Sequence, residues 1–197
     1  ISINGTPFLL PLMLQIGFGL SPVVSGSLVL FSSLGALFVR SFMARMLRYF
    51  GFGRALAITT VLETFVIAGF GLLTADTPHW FIAAYVFVYG ILRSIQFMGS
   101  NMLSYSEIPD KNLSQATSVF GVFQQLTVSI GISISATLLG LISDHGANLT
   151  PTNFRIVFIA TALLSLIALP SYLSLRPEEG AAVTGYKRRQ EVEAAEA

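Results

Sequence analysis

Apolar runs close to the length of a bilayer crossing follow one another along the chain, separated by short polar or proline-marked breaks. A hydrocarbon core needs about 20 predominantly apolar residues per helix. Six stretches of that size lie near 3–20, 22–43, 55–73, 80–105, 115–142 and 154–175. The breaks carry helix chemistry. At Ser21-Pro22 a hydroxyl can cap the orphan N–H groups of a new helix, and proline at its first position needs no N–H partner. Pro78 and Pro151 stand just ahead of the fourth and sixth stretches. Pro7, Pro11 and Pro170 fall inside stretches and predict bends, which a membrane helix bears when neighbouring helices satisfy the freed backbone groups. The pattern predicts an all-α polytopic membrane protein.

Polar residues inside these stretches then become informative, because a charge in hydrocarbon is expensive. Glu63 in the third stretch and Arg93 in the fourth are the ionisable acid and base there, and antiparallel neighbours bring them to similar depth. They either form a buried ion pair that fixes packing, or serve a proton or substrate site. At 100° per residue Tyr89, Arg93, Gln96, Ser100 and Ser104 share a narrow arc with Asn101 on its flank. Such a stripe faces a water-filled cavity or another helix, not lipid. The fifth stretch repeats the theme with Ser118, Gly121, Gln125, Ser129 and Ala136, and with Gln124 and Ser133 at the edges. Its small residues equally suit close helix packing, whereas Gln125 is too large for that and is expected in a cavity. Gln15 in the first stretch bonds a neighbouring helix or joins the cavity.

Composition sharpens the class. Hydrophobic residues make up 53%, and of 11 Lys+Arg and 10 Asp+Glu, nine crowd between Arg176 and Ala197. A water-soluble globule is excluded, and the polar segment 176–197 reads as a solvated, disordered tail. Cysteine is absent, ruling out disulfides and thiolate chemistry, and the net charge of +1 gives nucleic acid no footprint. His79 and His145 make no metal motif, Asp144-His145 makes no credible dyad, and Asn148-Leu149-Thr150 is a bare sequon. No metal, cofactor or enzymatic site is expected.

Basic residues set the orientation. Arg40, Arg45, Arg48 and Arg54 surround the 2–3 connection, Lys111 lies in the 4–5 connection, and Arg176, Lys187, Arg188 and Arg189 lie in the tail. Under the positive-inside rule these face the cytoplasm. The chain opens Ile1-Ser2-Ile3-Asn4 without initiator Met or signal-peptide features. It is therefore expected to be a piece of something longer.

Short motifs in a fixed order add a resemblance. Pro11-Leu12-Met13-Leu14-Gln15, Gly19-Leu20-Ser21-Pro22 and Ser25-Gly26 are followed by Arg93-Ser94-Ile95-Gln96-Phe97 and Asn101. Ser114-Gln115-Ala116-Thr117-Ser118, Gln124-Gln125-Leu126 and Ser129-Ile130-Gly131 complete the order. Over residues 1–175 this resembles the C-terminal six-helix half of major facilitator superfamily transporters, in particular fourteen-span drug:proton antiporters of the EmrB/QacA type. The 2–3 connection keeps Arg45, Arg48, Gly51 and Arg54 but lacks the Asp of the superfamily's gating loop.

The resemblance implies a six-helix bundle of two inverted three-helix repeats, with spans 1, 2, 4 and 5 lining a cavity shared with an absent N-terminal half. It implies Arg93, Gln96, Asn101, Gln15, Gln124, Gln125 and Tyr89 as cavity residues. It further implies proton-driven export of small amphipathic or drug-like molecules across a bacterial inner membrane. The rival readings are a metabolite or sugar symporter half and a self-contained six-span channel or membrane subunit.

Overall fold

The computed structural model describes residues 2–50, 52–105, 108, 112–143 and 149–173. The expected tail at 176–197, Gly51, Lys111, Asp144, His145 and Asn148 lie outside the described residues, as does the side chain of Arg48.

The described chain is all α. Five helices are long and apolar enough to cross a membrane: Pro22–Arg40, Gly53–Phe70, His79–Tyr105, Leu113–Ile142 and Pro151–Ala168. The first expected stretch behaves differently. Helix α1 (Ser2–Leu12) passes into a π-helical turn at Met13–Gly17 and then stops. Pro7 and Pro11 lie in the helix ahead of this turn, where each lacks an N–H and crowds the carbonyl one turn back. Phe18 N–H then donates to the Met13 carbonyl at 3.0 Å. Gly19 takes φ +68°, a left-handed conformation that costs other residues, and turns the chain toward the next helix.

Helix α2 (Pro22–Arg40) starts at the Ser21-Pro22 break, where the Ser21 hydroxyl accepts from Val24 N–H at 3.4 Å. Between it and α4 (Phe52–Phe70) lies a short helix, α3 (Met43–Phe50). The basic 2–3 connection is thus helical rather than a plain loop. Met43 and Leu47, four residues apart, turn inward onto Val39, Ala55, Leu56 and Ile95, while Arg45 and Tyr49 stay exposed. Helix α5 (His79–Tyr105) follows Pro78, whose carbonyl accepts from Phe81 N–H at 2.9 Å. After α6 (Leu113–Ile142), α7 (Pro151–Ser165) tightens into a 3-10 turn at Leu166–Ala168 before α8 (Leu169–Leu173). The tightening begins four residues before Pro170, at the carbonyl its ring would meet.

Close approach at small residues sets how these helices pack. Helix α2 packs on α5, α1 on α6, and α4 on both α5 and α7. A Cβ on Gly90 would come within 2.2 Å of the Ser32 carbonyl oxygen, and one on Gly35 within 2.4 Å of that of Phe87. A Cβ on Gly5 would lie 2.0 Å from Ser135 Oγ and 3.1 Å from the Gly131 oxygen. In a lipid solvent, where burying apolar surface gives little drive, such contact and polar ties between helices hold a bundle together. The ties include Thr64 with Ser165 at 2.6 Å, Tyr85 Oη donating to the Val66 carbonyl at 2.9 Å, and Ser100 with Tyr172 at 3.3 Å.

Candidate functional site

The polar arc on α5 divides among several neighbours rather than facing one surface. Contacts of Leu56 with Gly99, Thr60 with Gln96 and Gly69 with Tyr85 fix an antiparallel register between α4 and α5. At its extracellular-expected end, Tyr89 is 1% exposed and packs edge-on against Phe70 at 5.4 Å. It serves packing and is not among the lining residues of the two hollows described next. Gln96 is 2% exposed; its amide donates to Thr60 Oγ1, and its carbonyl accepts from Thr59 Oγ1 at 3.4 Å.

Two hollows flank α5. The first, about 220 Å³, is lined by Asn4 of α1, by Gln96, Phe97, Ser100 and Asn101 of α5, and by Phe120, Phe123, Gln124 and Thr127 of α6. Amides thus reach it from three helices with aromatic rings between them, a surface suited to an amphipathic molecule. Asn101 Nδ2 also donates to the Phe97 carbonyl at 2.6 Å. The second hollow, also about 220 Å³, lies between α2 and α5, lined by Ser32, Ser33, Ala36, Gly90, Arg93, Ser94 and Phe97. Phe97 belongs to both, so one ring stands between the amide-lined space and the arginine.

Of the two amides expected in the cavity from α6, the structure brings one to the hollow. Gln124 lines the first hollow, whereas Gln125 is exposed and lines neither. Gln15, in the π turn, is exposed and reaches Ser25 Oγ at 3.5 Å, a long bond across to α2. Asn4 was missed, and so were Thr59 and Thr60; an amide early in the first stretch and a Thr pair one turn before Glu63 were the available signals. Arg45 and Arg54 are exposed at the ends of α3 and α4, with no bond to the hollows.

Glu63 and Arg93 are level, as the register requires, and no ion pair joins them among the described contacts. Glu63 is 1% exposed and its Oε1 has no hydrogen-bond partner; Arg93 acts on it through its field while lining the α2 side. No group of three or more potential metal ligands occurs among the described residues.

Family comparison decides what such a bundle belongs to. The model of the Major Facilitator Superfamily matches residues 1–195. The chain belongs to that superfamily. It is therefore an integral membrane chain of a transporter family and not an enzyme. Curated relatives agree. A protein named "Putative multidrug resistance protein MdtD" from Escherichia coli O6:H1 is 31% identical over 173 residues, covering 86% of this chain and 36% of the relative. The protein of that name from Pectobacterium carotovorum is 31% identical over 169 residues, 85% of this chain and 36% of the relative. That from Escherichia fergusonii is 30% identical over 173 residues, with 86% and 36% covered. The chain thus spans about 36% of the length of these relatives. No solved structure matches it.

Proposed function

We propose that this chain is the C-terminal six-helix half of a proton-coupled exporter of small amphipathic or drug-like molecules. The amide-and-aromatic hollow beside α5, with Arg93 on the other side of Phe97, carries the reading. It is large enough for part of a small molecule and polar enough to hold water when empty.

The packing scheme supports two three-helix repeats. Exchanging α1 with α5, α2 with α6 and α4 with α7 turns the α1–α6 contact into the α5–α2 contact, and the α4–α5 contact into the α7–α1 contact. Both exchanged crossings close on glycine, Gly5 in one and Gly90 in the other. In this scheme α1 with its π turn counts as the first of six spans. Helices α2 and α6, 22% and 17% buried, present apolar side chains such as Leu34, Leu37, Val122 and Phe123 for a second bundle and lipid to cover. The name of the relatives favours a multidrug substrate range and their bacterial source an inner-membrane location, while the basic connections favour a cytoplasmic C-terminus by the positive-inside rule.

The test is flux in the full-length protein. Arg93→Ala should abolish or strongly reduce proton-driven transport at near-normal expression, and wild-type flux in that variant removes Arg93 from the mechanism. A native polypeptide that begins at Ile1 and transports alone would instead favour a self-contained six-span protein.

A further inference from the structure

Glu63 belongs to neither hollow, yet it is the buried acid of the bundle. It lies one turn beyond Thr59 and Thr60 on the same face of α4. Those two hydroxyls hold the side chain of Gln96, and Gln96 in turn is wall to the α5–α6 hollow. The side chain that walls this part of the hollow is therefore held by two hydroxyls one turn from the carboxyl.

We propose that Glu63 is a proton-carrying group of this transporter, exchanging its proton with water in the α5–α6 hollow when Gln96 swings off Thr60. The carboxyl O–H gives its proton to that water, and the carboxylate left behind is met by the Arg93 guanidinium. The inference rests on the exporter reading and adds a coupling residue to it.

The surroundings favour such a two-position device. With Oε1 unpartnered at 1% exposure, ionised Glu63 has no contact that would hold it in the conformation seen. A neutral acid fits this conformation, and a carboxylate calls for another. Among the described groups on elements packed against α4, Arg93 and Tyr89 of α5 interact electrostatically with Glu63. The others are committed elsewhere or exposed: Tyr85 bonds the Val66 carbonyl, Tyr172 of α8 contacts Ser100, and Arg45 of α3 and Arg155 of α7 are exposed. Arg93 is level with Glu63 but turned to the α2 side, where Ser32, Ser33 and Ser94 surround it. A change of side-chain rotamer, without a change of helix register, is the movement required.

The experiment uses the full-length protein in lipid vesicles. The infrared spectrum of wild type minus Glu63→Gln should show a carboxylic-acid C=O band that disappears as pH rises. The same variant should lose proton-driven accumulation while keeping substrate exchange between equal concentrations. A difference spectrum without that band, or full proton-driven accumulation by a folded Glu63→Gln protein, overturns the proposal. If Glu63→Gln does not fold, Glu63→Asp takes its place, and an acid band that neither shifts nor titrates differently in it overturns the proposal equally. A wild-type protein without proton-dependent flux sinks the exporter reading instead, and the titrating band then still decides whether Glu63 takes up a proton.

Discussion

Helices α4 and α6 are both apolar, both studded with hydroxyls, and used in opposite ways. In α4 the Thr59, Thr60 and Thr64 side chains each bond their own backbone one turn back and also reach a second helix, through Gln96 or Ser165. In α6 the Ser118, Thr127 and Ser129 hydroxyls donate to the carbonyls of Ser114, Phe123 and Gln125 and stop there. Half of α4's membrane window is buried against 17% of that of α6. A hydroxyl that bonds its own helix needs no partner, so its presence alone does not mark an interface. What distinguishes a structural helix is a second bond across the gap. By this measure α4 anchors the bundle, and α6 is free to serve a cavity or a moving contact.

The largest expected effect lies on the anchored side, at the α2–α5 crossing. Gly90→Leu places a side chain where Ser32 backbone already sits, and overpacking of this kind should cost about 2–3 kcal/mol. Thermal unfolding in detergent reads it, and an unshifted midpoint would show that the two helices do not cross there. Gln96→Leu should cost about 1 kcal/mol, since it removes the bonds that tie α5 to both threonines. A double-mutant cycle with Thr60→Val should recover most of that loss as coupling; additive losses would show that the bond contributes nothing. On α6, Ser129→Ala should stay within about 0.5 kcal/mol. A loss as large as that of Gln96→Leu would erase the contrast between the helices.

Much of the architecture was readable where local chemistry is unambiguous. Ser21-Pro22 combines a side-chain acceptor with a residue that needs no N–H, and the helix starts there. Pro170 shows equally direct logic in the tightened turn that precedes it. Helix α3 was not foreseen, because Met43 and Leu47 supply only one turn of apolar spacing and the arginines around them suggested a loop. The site was legible in its residue types and less so in its partition. An arc drawn at 100° per residue treats α5 as if it had one neighbour along its length. In fact Tyr89 meets Phe70, Gln96 meets the Thr pair, and Asn101 meets the hollow. On α6 the adjacent Gln124 and Gln125 differ by one such step, and a pattern dominated by small residues lacks the phase to choose between them.

The π turn at Met13–Gly17 amounts to one surplus residue wound into the first helix. Removing it would return the ladder to its ordinary pitch and rotate everything on the far side by about one residue's angle, roughly 100°. Gly5 would then no longer face Gly131 and Ser135, which its close approach demands. The length of this segment is therefore a phase constraint: deletions and insertions there act like a turned key in a lock, while substitutions that keep the count leave the alignment intact.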